Sequence, residues 1–168
     1  VDFIKTKDTV WYNETIGNEL DIYKADYLGA YDIDKKFIIR AASSKIKTVD
    51  IIPKEAIANL SQGGLSRFYM KIPEGIIEVV GASIHPSDDP LKNKTKPFGY
   101  FFVVRLLDKD FITDLEHLTS AEINLSTSYS ETKIGNHNIY ATINLNDYKN
   151  EPVIKLIFES KYYLTYSY

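Results

Sequence analysis

The fold of this chain is decided by two apolar stretches, Gly75-Ile-Ile-Glu-Val-Val-Gly-Ala-Ser-Ile84 and Gly99-Tyr-Phe-Phe-Val-Val-Arg-Leu-Leu107. Such runs, rich in β-branched and aromatic residues and bounded by turn residues, are typical of buried strands. A polar loop over 85–96 separates them. Arg105 is the one charged residue of the second run, and a guanidinium buried there needs a partner or a ligand. The two strands are therefore the predicted centre of the fold, and Arg105 is its first candidate functional residue.

Outward from this centre, hydrophobic periodicity predicts an α+β domain with a mostly antiparallel sheet, an N-terminal helix and flanking short helices. The predicted helices cover 7–20, 54–62 and the segment after Asp108, and the predicted strands cover 21–27, 36–42, 67–72, 76–84, 99–107, 122–128, 139–146 and 153–159. The first helix is expected to bury a stripe of Val10, Trp11, Ile16 and Leu20, and the last one Phe111, Ile112, Leu115 and Leu118.

Composition limits the classes of function. The 168 residues, of which 44% are hydrophobic, suit one globular domain. A net charge of -3 without a cluster of Lys and Arg argues against a nucleic-acid partner. The absence of Cys excludes disulfides, zinc thiolate sites and cysteine nucleophiles. Because the chain begins with Val rather than Met, we expect it to be a piece of a longer protein.

Four sequons for N-glycosylation favour an extracytoplasmic location; they begin at Asn13, Asn59, Asn93 and Asn124. The many Ile, Lys, Asn and Tyr residues are typical of archaeal proteins, and a methanogen would fit. The tail 161–168 holds four Tyr, which suits either the aromatic belt beside a membrane helix or an ordinary edge strand.

The segment 97–108, Pro-Phe-Gly-Tyr-Phe-Phe-Val-Val-Arg-Leu-Leu-Asp, followed by Asp114-Leu115 and Leu118-Thr119, resembles the signature of the fourth class of CHASE domains. Upstream, Ala25-Asp26-Tyr27-Leu28-Gly29 is similar to the strand and turn of that family. CHASE domains are the extracellular sensory domains of membrane histidine kinases and diguanylate cyclases.

The resemblance implies a PAS-like or Cache-like sensor domain over 1–168, held between two transmembrane helices. Within it we expect an N-terminal helix over 1–20, a PAS-like core over 21–128 and a C-terminal hairpin over 137–168 that leads toward the membrane. The implied partners are an unknown small-molecule signal, the flanking transmembrane helices, a cytoplasmic kinase and a second copy of the chain. The family has no widely shared ligand, so the resemblance names none.

Arg105 is the centre of the predicted ligand site, and two interpretations of it are open. It forms a structural ion pair with a carboxylate such as Glu78 or Asp108, or it clamps a ligand carboxylate. In the second case Arg40, Arg67, Tyr69 and His85 are candidate co-lining residues, because they lie on or beside neighbouring strands of the predicted sheet.

Catalysis and metal binding are not favoured. The three His residues, His85, His117 and His137, show no catalytic motif, and the Pro-Ser-Asp-Asp that follows His85 is ordinary loop chemistry. Asp32 and Asp34 suit a hairpin turn better than a calcium loop, since Lys35 and Lys36 follow. We therefore expect no catalytic residue, metal or cofactor. A surface adhesion or carbohydrate-binding module is the alternative function, ahead of a small hydrolase.

Overall fold

The structure is a computed structural model that describes residues 6, 8–60, 64–92, 94–127 and 138–161. The chain divides into two compact units, Val1–Leu106 and Leu107–Tyr168. The first contains α1 (Thr9–Thr15), α2 (Glu19–Ile22), β1 (Tyr27–Asp32), β2 (Phe37–Ala42), α3 (Lys54–Leu60), β3 (Leu65–Ile72), β4 (Gly75–Ile84) and β5 (Gly99–Leu106). Its sheet has the order β2-β1-β5-β4-β3, and every neighbouring pair is antiparallel. The predicted α+β class and the predicted central strands are confirmed.

One face of this sheet, here called the inner face, is filled with aromatic rings. Tyr27, Tyr31 and Phe102 share it because alternate residues of a strand, and residues paired across strands, point to the same side. All three are at most 1% exposed. The segment between β2 and β3 covers them: the Tyr27 hydroxyl donates to the carbonyl of Val49 (3.0 Å), and the Tyr31 hydroxyl donates to Asp50 Oδ1 (2.8 Å). Burial is the main cause that raises the pKa of Tyr27 to about 12 and the pKa of Tyr31 still further.

The opposite side, the outer face, carries the N-terminal helices on its β1–β2 half. Tyr12 packs there against Leu28, Ala30, Ile39 and Ala41, and its hydroxyl donates to the carbonyl of Leu28 (2.8 Å). Burial raises the pKa of Tyr12, so the phenol stays a neutral donor.

The predicted stripe of the first helix is wrong in part. Val10 is 64% exposed and Trp11 46% exposed, whereas Tyr12 is buried. Asp8 caps the helix by accepting from the backbone N–H groups of Val10 and Trp11. Because α1 is short and ends at Thr15, a single side chain of the helix is buried against the sheet. That side chain is Tyr12, whose hydroxyl also forms a hydrogen bond.

The predicted strand over 21–27 is also wrong. Residues Glu19–Ile22 form α2, and the strand is Tyr27–Asp32. β1 lies inside the sheet and is buried on both faces, so it lacks the alternation that marks a half-buried strand. The turn that follows is confirmed: Lys35 N–H donates to the carbonyl of Asp32 (3.0 Å), and Lys36 N–H to Asp32 Oδ1 (2.9 Å).

The second unit contains α4 (Lys109–Thr119), β6 (Glu122–Ser126), β7 (Asn138–Asn146) and β8 (Pro152–Lys161). Its antiparallel sheet has the order β6-β8-β7. Asp108 caps α4 by accepting from the N–H of Phe111 (3.1 Å). Leu118, expected in the buried face of α4, is 82% exposed and lies one residue before the end of the helix. None of the helices in the described ranges has the length and apolar character needed to span a membrane.

Candidate functional site

Three of the five predicted site residues surround one carboxylate on the outer face. Glu78 of β4 lies in register with Tyr69 of β3 on one side and with Arg105 of β5 on the other. The Tyr69 hydroxyl donates to Glu78 Oε1 (3.2 Å), and Arg67 Nε donates to the same oxygen (2.6 Å). The structure thus places Arg105 opposite a carboxylate that the sequence suggested as its partner.

Within this group, Arg67 and Tyr69 both donate to Glu78, and these contacts shift their pKa values. Burial and the neighbouring Glu78 carboxylate together raise the pKa of Tyr69. Partial burial lowers the pKa of Arg67, but the bond to Glu78 outweighs it and the net direction is upward. The Arg67 side chain is 64% exposed and that of Glu78 only 14%. A ligand carboxylate would therefore compete with Glu78 for these donors.

Arg40 lies on the inner face, away from that group. Its register partner Gly29 is paired with Phe102, whose side chain points opposite to that of Arg105. The Arg40 guanidinium donates to the carbonyls of Ile46 (3.2 Å), Lys47 (3.1 Å) and Thr48 (2.8 Å). Arg40 is therefore a clamp on the segment that follows β2.

Glu74, which the sequence did not single out, holds the same segment from the β3–β4 turn. Its Oε1 accepts from the backbone N–H groups of Lys47 and Thr48, both at 2.7 Å, and both carboxylate oxygens contact the Thr48 hydroxyl. The hydrogen bond from Thr48 N–H is the main cause that lowers the pKa of Glu74. Two charged side chains thus fix the backbone of residues 46–48.

His85 lies in a third place, just after the end of β4. Its Nε2 lies 3.2 Å from the Ser83 hydroxyl and its Nδ1 lies 3.2 Å from the Thr95 hydroxyl. Asp89 is buried, lies 3.7 Å from Nδ1 and accepts from the N–H and hydroxyl of Thr95. This cluster closes the loop between β4 and β5, and the structure does not bring it together with the other predicted residues.

The first unit also has an open groove of about 600 Å³ along the edge strand β2. Arg40, Ala41 and Ala42 of β2 line it together with Ser43, Ile46 and Lys47 of the following segment. Asn13, Gly17, Asn18 and Leu20, at the junction of α1 and α2, form its other wall. We call this cavity the edge groove. Its volume lies in the range of about 300–1,000 Å³ that small-molecule sites occupy.

The family model of the CHASE4 domain matches residues 1–126, three quarters of the 168-residue chain. The chain belongs to the CHASE4 family.

The fold of this CHASE4 domain is similar to that in the crystal structure of the periplasmic domain of Vibrio cholerae LuxQ. The TM-score is 0.57 at 11% identity, and the match covers 95% of this chain and 84% of that one. No curated protein matches the chain. The family match makes the chain an extracytoplasmic sensing input domain, as the sequence resemblance implied, and the shared fold agrees with it.

For this CHASE4 domain, the sequence predicts which strand residues come together better than it predicts the edge groove. Arg67, Tyr69 and Arg105 come together because adjacent strands and their register follow from the apolar pattern. The edge groove combines a helix junction, an edge strand and an irregular segment, and no spacing rule links these. Gly17 is the one weak sequence signal for the helix junction in this groove. An added Cβ at Gly17 would lie 2.3 Å from the carbonyl oxygen of Asn13, so the backbone there is too close for a larger residue.

The described residues contain no group of three His, Asp or Glu side chains that would hold a metal ion. His117 is exposed on α4, while His137 lies outside the described residues. The tail 162–168 and the sequon residue Asn93 also lie outside them.

Proposed function

We propose that this CHASE4 domain is the non-catalytic, ligand-sensing input domain of a membrane-bound receptor, specifically a sensor histidine kinase. The observation that carries the proposal is the CHASE4 match over residues 1–126. In the full-length receptor a transmembrane helix would stand on each side of the domain, with the kinase in the cytoplasm. The alternative of an adhesion or carbohydrate-binding module has no comparable support.

The mechanism needs a ligand that binds two arrangements of the domain with different affinity. A ligand shifts such an equilibrium only by its differential affinity for the two states. The edge groove suits this role because its walls belong to different elements, the α1–α2 junction and the segment after β2. A ligand bound between them would change how firmly the N-terminal helices are held on the sheet, and so pass the signal toward the membrane.

A homodimer through the N-terminal helix is part of the proposal. Val10 and Trp11 project from α1 and are 64% and 46% exposed, although the same helix is anchored by Tyr12. Large exposed apolar side chains that lie side by side are typical of protein–protein contacts. A second copy of the chain would cover them.

Full-length receptor in membranes tests the proposal directly. Autophosphorylation of the cytoplasmic kinase should change when a signal molecule is added on the side that carries the CHASE4 domain. Deleting the domain should leave kinase activity in place and abolish this response. A gene without an apolar segment of about 20 residues on either side of the domain would contradict the receptor proposal.

A further inference from the structure

The charges around the edge groove indicate what kind of molecule it takes. Of the ten described residues that line it, Arg40 and Lys47 are cationic and none is acidic. Asn13 and Asn18 add side-chain amides on the opposite wall. The protein as a whole has a net charge of -3, so this local excess of positive charge is not a general property of its surface.

Arg40 keeps donors available after it has clamped the segment behind β2. A guanidinium carries five N–H groups. The bonds to Ile46, Lys47 and Thr48 use three of them, two on Nη1 and one on Nη2. Among the described residues, the N–H of Nε and the second N–H of Nη2 have no acceptor. Because the clamp fixes the guanidinium before any ligand arrives, little side-chain entropy is lost on binding.

Lys47 is bound through its backbone and not through its side chain. Its N–H donates to Glu74 and its carbonyl accepts from Arg40. Within the described part of the chain the ammonium group takes part in no hydrogen bond or ion pair, and the residue is exposed. Its backbone is thus held at the rim of the groove while its charge remains available.

We propose that the edge groove binds a small organic anion, one that carries a carboxylate or a phosphate group. Two cationic lining residues and no acidic one favour an anion, since the nearby Glu74 carboxylate is already engaged by the backbone N–H groups of Lys47 and Thr48. A guanidinium with two N–H groups to donate suits both carboxylate and phosphate. This inference deepens the proposed function, on which it rests, because it assigns the signal molecule a chemical class and a place.

Binding there would also act on the N-terminal segment. The junction of α1 and α2 is tightly wound: Gly17 N–H donates to the carbonyl of Tyr12 (3.2 Å), and the Asn18 amide donates to the carbonyl of Glu14 (2.5 Å). An anion that contacts Asn18 on one wall and Lys47 on the other links this junction to the sheet. The bound form should hold the junction more firmly than the free form.

The test uses the 168-residue chain with succinate, citrate and glycerol 3-phosphate as probes, and succinamide and glycerol as uncharged controls. At least one anion should raise the melting temperature and shift the amide NMR signals of residues 17–20 and 40–47, while the uncharged controls do neither. Lys47→Gln should weaken binding about tenfold by removing one charged contact. Lys71→Gln, an exposed Lys on the opposite edge strand β3, should bind as the wild type does.

A second variant separates a specific site from general charge. Ala42→Leu leaves every charge in place but fills the groove, so it should abolish the anion-induced shifts. The inference is overturned if none of the anions gives these shifts, or if Lys47→Gln and Lys71→Gln weaken binding equally. It is also overturned if a full-length receptor with Ala42→Leu still responds to its signal, a result that leaves the proposed function intact. A wild-type receptor without any response to an extracellular signal would instead count against the proposed function.

Discussion

Asp26 is a single carboxylate that joins the ends of three strands. It is 8% exposed. Its Oδ1 accepts from the Ser43 hydroxyl just after β2 (3.0 Å), and its Oδ2 accepts from the N–H of Leu106 at the end of β5 (2.9 Å). Its own N–H donates to the carbonyl of Val104 (2.8 Å). Asp26, which belongs to the upstream segment that resembles the family, therefore has a structural role rather than a role in ligand binding.

Replacing this carboxylate should destabilise the domain strongly. Asp26→Ala leaves the buried N–H of Leu106 without its acceptor, and an unsatisfied buried donor costs about 1–3 kcal/mol in addition to the lost bonds. We expect a loss of about 2–4 kcal/mol in the free energy of unfolding, measured by urea denaturation. Asp34→Ala, in the exposed turn after β1, should change it by less than about 0.5 kcal/mol. Equal effects of the two substitutions would contradict this account of Asp26.

Glu74 should make the stability of the domain depend on pH. Its pKa is lowered in the folded state by the N–H groups of Thr48 and Lys47, so it favours folding when it is ionised. That contribution is complete above the pKa of the unfolded chain, about 4.3. It is lost as the pH falls through the lower, folded-state pKa.

The measurement compares wild type with Glu74→Gln in urea denaturation from neutral pH to about pH 3. The wild type should be the more stable at neutral pH, and the difference should shrink as the solution becomes more acidic. Glu122→Gln, an exposed Glu of β6, serves as the control and should show no such trend. A difference that stays constant down to the lowest pH would show that ionisation of Glu74 does not matter.

At the scale of elements, the inner face depends on a glycine in β4 that makes room for an aromatic ring. A Cβ added at Gly81 would lie 2.4 Å from the ring of Phe102 and 2.9 Å from a methyl group of Leu60. Phe102 pairs with Gly81 in the register of β4 and β5 and makes an edge contact with Tyr31, with centroids 5.5 Å apart. Position 81, inside β4, therefore requires Gly because any side chain there would clash with its neighbours, and not because the chain turns.

Gly81→Ala should cost about 1–3 kcal/mol through overpacking, seen as a lower melting temperature. The cause can be isolated with Phe102→Leu, which shortens the opposing side chain. In a double-mutant cycle the second substitution should be less harmful in the Gly81→Ala background than in the wild type. Simple additivity of the two effects would exclude the contact with Phe102 as the reason.

The positions of helices and strands were predicted well where a single apolar pattern marks the element. β4 and β5 follow from long apolar runs, and the register of β3, β4 and β5 brought Arg67, Tyr69 and Arg105 to one carboxylate. β1 was misplaced because a strand buried on both faces has no alternation. Arg40 was assigned to the same group as Arg105, but the alternation of side chains along β2 puts it on the opposite face.

The edge groove was beyond prediction for a different reason. Its shape comes from the backbone path of residues 43–48, and that path is held by Arg40 and Glu74 from outside the segment. The contact between Glu74 and Thr48 joins residues 26 positions apart and leaves no local pattern in the sequence. The resemblance to the CHASE signature did indicate the sensory class, whereas the chemical class of the ligand could be argued only from the charges that line the groove.

At the scale of the whole molecule, the family match and the compact units have different bounds. The CHASE4 match covers residues 1–126 and continues past the first unit, Val1–Leu106, to the end of β6. The family therefore includes the sheet with the edge groove and also the helix α4 with its Asp108 cap. The N-terminal segment, which the receptor proposal connects to a membrane helix, belongs to the unit that contains the groove.

The proposed homodimer gives the last prediction. If a second copy covers Val10 and Trp11, then Trp11→Glu places a charge in an apolar contact and should weaken self-association at least about tenfold. Sedimentation equilibrium over a wide range of protein concentration measures this. Leu118→Glu, at a Leu of α4 that is 82% exposed, makes the same kind of change elsewhere and should leave self-association unaltered. If the dimer persists with Trp11→Glu but is lost with Leu118→Glu, the interface lies at α4 instead. If the wild type stays monomeric at every concentration, the isolated domain does not form the proposed dimer.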